Sequence, residues 1–388
     1  MMKKTYTLLA ALLLLPGLAA AQDKPQITNG DFETWTFDGE NLPNHFNSFQ
    51  TADGTYAGSG YSSSNRQVKR STDTRPGSSG KYSCQIWSRK IQFLWIKVVA
   101  QGNLTTGRLH AGATSADDPD NYNYSDRDGS NTNNGVTNPC AMPFTGRPDS
   151  LVAWVKFVPN GTDSSHPYAK LAAIIHDDCD YRDIYNKTYD ASKLVATAAN
   201  NTISKTNGWK RLSIPFVYTG NSAQPRYILL SAATNAYPGG GNENDQLYID
   251  DIELIYNPTG YDLSIPDQGW ASMYVDFPVK VPAGYTAYYV TELVAGYAKM
   301  TAVKAGETLP AKTAVIVKGK AGSKASFERS SAQPVNVAGN ILKGTLNDES
   351  CGTRKVLVLS TGSNAKRAKF APIKGTTLAA NKAYIEVQ

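Results

Sequence analysis

Between Gln246 and Tyr256 the chain reads Q-L-Y-I-D-D-I-E-L-I-Y, a strand-like run with two carboxylates in its middle. Leu247 and Ile249 share one face of an ideal strand, whereas Ile252, Leu254 and Tyr256 share the other. The apolar parity therefore flips across Asp250-Asp251. A strand with one buried face cannot change parity without turning its core residues to solvent. One extra residue restores the phase, so the run predicts a β-bulge at the two aspartates. A buried carboxylate without a partner is costly, or is driven to take a proton. Two of them at a bulge predict a hard cation, and calcium, with roughly 6–8 oxygen ligands, suits such a site. Further oxygens would come from elsewhere in the chain. Near its start the segment Ile27-Thr-Asn-Gly-Asp-Phe-Glu-Thr-Trp35 alternates Asn29, Asp31 and Glu33 around Gly30 and Phe32.

The first residues bear on the compartment. Lys3 and Lys4 precede an apolar run from Leu8 to Leu15, followed by Pro16, Gly17 and Ala19-Ala20-Ala21. This is the pattern of a secretory signal peptide over residues 1–21, too short to span a bilayer comfortably. It predicts an exported protein without a transmembrane segment, in the periplasm, on the outer-membrane surface or outside the cell. The remaining length exceeds what one core usually organises, so two domains are expected. Asn257-Pro258-Thr259-Gly260 punctuates the chain and marks the seam, giving domains 22–257 and 258–388. Charge differs across it. From Tyr261 onward there are 16 Lys and Arg against 9 Asp and Glu, and from Gln22 to Gly260 there are 21 against 24. The lysines of the second part are scattered among apolar residues, and nucleic acid is not an expected partner.

Both parts alternate short apolar runs with turn residues, which predicts an all-β protein: a jelly-roll β-sandwich followed by a smaller β-sandwich-like domain. The first part offers Trp87 to Val99, Leu151 to Val158, Lys170 to Ile175, Lys210 to Tyr218, Arg226 to Ser231 and Gln246 to Tyr256. Asp190 to Ala199 has helical composition but is read as a loop excursion. Trp87, Trp95 and Trp154 lie in apolar runs and are expected in the core. Four cysteines, Cys84, Cys140, Cys179 and Cys351, permit several disulfide pairings in an oxidising compartment.

Several ordered motifs carry a resemblance. Asn29-Gly-Asp-Phe-Glu-Thr-Trp35, Gly102-Asn-Leu-Thr-Thr-Gly-Arg108, Phe144-Thr-Gly-Arg-Pro148, Gly208-Trp209 and Leu247 to Tyr256 are similar to those of the carbohydrate metabolism domain (PCMD) family of exported Bacteroidetes proteins. The resemblance covers residues 26–257 and implies a galactose-binding-like sandwich with a sugar context. It also implies a structural calcium that ties the first strand to the last, with Asp31, Glu33 and Asp250 as ligands and Asp251 beside them. The stretch from Asp177 to Asn201 departs from the pattern as an insert. The tail from Tyr261 resembles β-rich C-terminal modules of Bacteroidetes surface proteins through G-W-A-S-M-Y at 269–274, T-A-Y-Y-V at 286–290 and L-A-A-N-K-A-Y at 378–384.

Catalytic motifs are scarce. Asp117 to Asn134 is rich in Asp and Asn, but aligning an EF-hand on Gly129 puts Tyr124 at the first ligand position and Gly135 at the last, so the segment reads as a polar loop. His176-Asp177-Asp178-Cys179-Asp180 reads as a solvent-facing loop rather than a nucleophile site, because strand neighbours point to opposite faces. H-E-x-x-H, G-x-S-x-G and phosphate loops are absent from the sequence. Sugar recognition asks for less: aromatic rings for the apolar sugar face, with amides and carboxylates for its hydroxyls. Tyr122, Tyr124, Asp177, Tyr181, Tyr185 and Tyr237 are the expected ligand contacts. The sequence thus predicts a non-catalytic glycan-binding protein with a structural calcium. The alternatives are a structural adhesin or assembly subunit that contacts cell-surface proteins, and a glycoside hydrolase.

Overall fold

The computed structural model describes residues 24–387 other than 38–40, 58–65, 94, 134, 162–165, 295–296 and 361–368. The signal-peptide residues 1–21 lie outside the described residues. Two compact units divide between Asn257 and Pro258. Both are built from antiparallel strands, and the described residues hold no helix beyond one 3-10 turn at Phe49–Thr51.

In chain order the first unit begins with β1 (Val68–Ser71), β2 (Ser83–Trp87), β3 (Arg89–Phe93), β4 (Ile96–Ala100), β5 (Asn103–Thr105) and β6 (Arg108–Ala111). It continues with β7 (Asn121–Tyr124), β8 (Ser130–Asn133), β9 (Val136–Pro139), β10 (Ser150–Val158), β11 (Ala169–His176) and β12 (Arg182–Ile184). The last are β13 (Lys187–Thr188), β14 (Leu194–Ile203), β15 (Lys210–Pro215), β16 (Val217–Tyr218), β17 (Tyr227–Ala233) and β18 (Gln246–Ile255). Two five-stranded sheets, β1-β2-β18-β10-β15 and β16-β14-β11-β17-β5, form a jelly-roll-type sandwich. Its core alternates along each strand: Leu151, Ala153, Val155 and Phe157 from β10 meet Leu171, Ala173 and Ile175 from β11 and Ile228 and Leu230 from β17. The run Lys210 to Tyr218 crosses from one sheet to the other, β15 ending at Pro215 and β16 starting at Val217. A further four-stranded sheet, β13-β12-β7-β6, lies over the outer face of the second sheet, where Asp183 bonds Lys170 and Ser231.

The bulge expected from parity is present in β18. Val152 pairs with Glu253 and Trp154 with Asp250, so Asp251 and Ile252 together oppose Ala153. Asp251 takes a left-handed φ of 45°. Leu247, Ile249, Ile252 and Leu254 are consequently all buried in one core. The first segment of the chain then runs beside this strand. Gly30 O accepts the Ile252 N–H at 2.8 Å. The Gln26 amide accepts from the Leu254 N–H at 2.7 Å and donates to its carbonyl at 2.8 Å, imitating a strand neighbour. Tyr256 donates its hydroxyl to Pro25 O at 2.7 Å.

Three local expectations are corrected. Asp190 to Ala199 is no loop excursion, because Leu194 opens β14, which pairs with β11 and buries Ala196 and Ala198. Small residues suit a crowded sheet interior, and tertiary pairing outweighed their helical propensity. The polar stretch from Asp117 contains β7, so Tyr122 and Tyr124 stand on a strand rather than a loop. Trp95 is not core: it is 83% exposed at the turn between β3 and β4. Trp87 and Trp154 are half-buried under cations, Lys69 and Arg89 over the first and Arg75 over the second.

The second unit has two four-stranded sheets. One orders Trp270–Met273, Val315–Lys318, Thr286–Val294 and Tyr297–Val303, and the other Lys343–Thr345, Lys382–Val387, Lys355–Ser360 and Lys369–Pro372. Trp270, Val290 and Ile316 of the first share a core with Phe370, Ala383 and Ile385 of the second.

The close approach at Gly30 gives a stability prediction. A Cβ there would sit 2.5 Å from the Ile252 carbonyl oxygen, which is backbone and cannot swing aside. Gly30→Ala is expected to cost on the order of 1–3 kcal/mol, read as a lower urea midpoint with an unchanged slope. A wild-type midpoint would contradict the closure described here.

Candidate functional site

Two places in the first unit carry chemistry: the closure at the bulge and a groove beside the small sheet. At the bulge, Asp250 is fully buried. Its carboxylate accepts the Arg75 N–H at 3.0 Å and the Asp251 N–H at 2.9 Å, with no side-chain cation hydrogen-bonded to it. Burial pushes its pKa up to about 6; the Arg75 N–H opposes the rise and the neighbouring Asp251 adds to it. Asp251 is different, because the Arg75 guanidinium pairs with it directly. Glu33 accepts the Lys81 and Tyr82 N–H groups, each at 2.8 Å. Asp31 is exposed on the turn. Among the described residues no group of three or more His, Cys, Asp or Glu is placed to hold a metal ion. Of the expected ligands, Asp250 is buried and bonded to N–H groups rather than to a cationic side chain, and Glu33 is likewise taken by two N–H groups. Asp251 is already neutralised by Arg75, and Asp31 does not converge with the others.

The groove has a volume of about 490 Å³ and runs between the β3–β4 hairpin, the Phe49–Thr51 turn and β6. Phe49, Ile91, Val98 and Leu109 give it apolar walls. Gln67, Gln101 and Asn103 also line it, and their side-chain carbonyl oxygens are buried with no hydrogen-bond donor among the described residues. For Gln67 the orientation follows from its amide nitrogen, which faces Ala100 O at 3.4 Å. A smaller pocket shares Gln101, Asn103 and Leu109 with the groove and adds Tyr122, Tyr185 and Asn123, whose carbonyl oxygen likewise lacks a donor. Orphaned buried acceptors cost roughly 1–3 kcal/mol each, so a molecule bringing donors gains where a turn of these side chains opens their oxygens to the groove. Among the described residues the groove lining contains no Asp, Glu, Lys or Arg.

The six expected ligand contacts separate. Tyr122 and Tyr185 line the same small pocket, and Tyr237 packs edge-on against Tyr185 at 5.5 Å while stacking on His166 at 4.1 Å. Tyr124 donates its hydroxyl to Asp53 at 2.8 Å. Tyr181 is 2% exposed and stacked on His176, so it is a core residue and not an open ring. Asp177 caps a turn, accepting the Asp178 and Gln224 N–H groups. Sequence reading missed the amides entirely. The one available signal was Asn103 at the head of a buried Asn-Leu-Thr strand, where a wholly apolar lining would otherwise serve.

The His176 cluster is also corrected. His176 ends β11 rather than sitting in a solvent-facing loop, and it is fully buried. Its Nε2 meets Ser125 Oγ at 2.7 Å and its Nδ1 faces Asp177 O at 2.8 Å. Burial pulls its pKa down to about 4. A neutral, enclosed imidazole with satisfied nitrogens is a structural bridge between β11 and the Ser125 segment. All four cysteines are free thiols, with Cys84, Cys140 and Cys351 buried.

No family model matches the chain, and no curated protein does either. Among solved structures, a proposed glycoside hydrolase of Bacteroides thetaiotaomicron VPI-5482 aligns with a TM-score of 0.40 and 15% identity, over 55% of this chain and 63% of that one. A proposed glycoside hydrolase of Bacteroides vulgatus ATCC 8482 aligns with a TM-score of 0.35 and 18% identity, over 49% and 78%. This chain thus spans less than two thirds of the first. At such scores neither likeness bears on the activity. No helix among the described residues is long and apolar enough to cross a membrane.

The raised pKa of Asp250 has a signed consequence. Between its ordinary 3.8 and about 6 the folded state holds a proton that the unfolded state has lost. Without a cation, its contribution to stability is therefore full below pH 4 and disappears as pH rises through 6. The difference is roughly 3 kcal/mol at about 1.4 kcal/mol per unit. In chelator, wild type should gain stability relative to Asp250→Asn as pH falls from 7 to 5. Parallel urea midpoints for the two proteins across that range would contradict this.

Proposed function

We propose that the first unit is a non-catalytic carbohydrate-binding module whose groove receives a neutral sugar residue of a glycan. The observation that carries this is the pairing of apolar walls with donorless amide oxygens. A sugar ring presents C–H faces to Phe49, Ile91 and Leu109 and hydroxyl donors to Gln67, Gln101 and Asn103. Hydrolysis of a glycoside needs two carboxyl groups across the bond, and the described groove lining supplies none. In this reading a calcium ion at Asp250 fastens the start of the module to its last strand, and the protein is exported, with its second unit serving as a surface or interaction module.

Purified protein titrated with a panel of neutral oligosaccharides should bind at least one saturably. Asn103→Ala should weaken that binding about five- to tenfold, the worth of one hydrogen bond. It should leave melting unchanged or slightly higher, since an orphaned buried acceptor is removed. A flat response to every glycan, or full affinity in Asn103→Ala, would contradict the reading. For the ion, excess chelator should lower the melting temperature at pH 7, and Asp250→Ala should be insensitive to chelator. Identical melting with and without chelator would remove the calcium from the account.

A further inference from the structure

On the outer face of the small sheet, aromatic and cationic groups stack in a row. The His110 ring lies on Tyr122 at 4.9 Å and 18°. The Arg182 guanidinium covers Tyr122 at 4.6 Å and also stands against Tyr189 at 5.1 Å. Tyr189 in turn packs edge-on against buried Tyr181 at 5.7 Å. Strand register places His110, Tyr122 and Arg182 on one face, because His110 pairs with Tyr122 and Arg182 with Tyr124. Lys187 shares that face through its pairing with Ile184 and is exposed.

Arg182 is held by rings rather than by a carboxylate. Arg75, Arg108, Arg127 and Arg354 each pair with a carboxylate. Arg182 is half-buried, yet it makes no hydrogen bond or ion pair among the described residues. The nearby acids are engaged elsewhere: Asp53 by His110 and Tyr124, Asp120 by its approach to His110, and Asp190 by Ser192. Two rings flank the guanidinium at 4.6 and 5.1 Å, and its N–H donors are unused among the described residues. A guanidinium fixed in this way loses little entropy on meeting a planar two-oxygen acceptor. Tyr122 also lines the pocket that joins the groove, so the clamp borders the proposed sugar site.

We propose that Arg182, clamped by Tyr122 and Tyr189, is a recognition site for the carboxylate of an acidic sugar, so that the glycan bound by this unit carries a uronic acid next to its neutral residue. This rests on the carbohydrate-binding reading of the groove and narrows its ligand to acidic glycans. Tyr189, 40% exposed, offers the neighbouring ring on which that sugar can stack.

The test compares a trisaccharide of one galacturonate beside neutral residues, its methyl ester and a sulfated neutral trisaccharide by calorimetry on the full chain. The acid should bind about tenfold or more tighter than the ester, as a charge-assisted pair allows, and the preference should shrink with added salt. Arg182→Gln should abolish the preference and Arg182→Lys should reduce it, with neutral-sugar affinity retained in both. Equal binding of acid and ester by the wild type would overturn the proposal without needing any variant. So would an acid preference that survives in Arg182→Gln, or a sulfated sugar preferred over the uronate. If neutral oligosaccharides still bind in those cases, the groove reading stands and only the acidic site falls. If nothing binds, both fall.

Discussion

The hydrogen bond from the Ile252 N–H to Gly30 O ties the first segment of the first unit to its last strand. It exists because β18 bulges at Asp251-Ile252. Without the extra residue, Ile252 and Leu254 would face away from the core that Leu247 and Ile249 enter. With it, the strand keeps one buried face and presents a main-chain donor sideways to the first segment of the chain. Gln26 and Pro25 extend the contact toward Tyr256. The same bulge buries the Asp250 carboxylate among N–H groups and leaves Asp251 to Arg75. Fold closure and the candidate cation site are thus one feature seen from the backbone and from the side chain.

What the sandwich supports is a second layer of smaller elements. The small sheet, the β3–β4 hairpin and the Phe49–Thr51 turn lie against the first unit's sheets and enclose the groove. Donorless acceptors within apolar walls define a surface that favours a neutral, hydroxyl-rich molecule. The clamped Arg182 beyond Tyr122 adds a fixed positive charge at its border.

Legibility in the sequence followed period and parity. The long strands β10, β11, β17 and β18 announce themselves by continuous or alternating apolar residues, and the parity flip located the bulge to within one residue. The strands that sequence reading passed over are short and polar: β7 reads Asn-Tyr-Asn-Tyr and β14 is rich in Ala and Asn. Their pairing comes from neighbours distant in the chain, which local composition does not encode. The candidate site was legible only where rings were counted. Tyr122, Tyr185 and Tyr237 do gather, but Tyr181 is consumed by the core and Tyr124 by Asp53. The amides were invisible because an Asn or Gln in a strand reads as a solvent residue until the layer above it is known. Trp95 shows the reverse case, an aromatic in an apolar run that the hairpin carries out into solvent.

The central claim is that the donorless amide oxygens of the groove are where a sugar is held. Side-chain amide resonances of Gln67, Gln101 and Asn103, followed by NMR while a binding oligosaccharide is titrated in, test it most directly. The account predicts that these three shift together, saturate at one affinity, and move more than the amides of first-unit asparagines that do not line the groove, such as Asn29 and Asn44. Saturable binding that leaves all three unmoved would place the sugar elsewhere and contradict it.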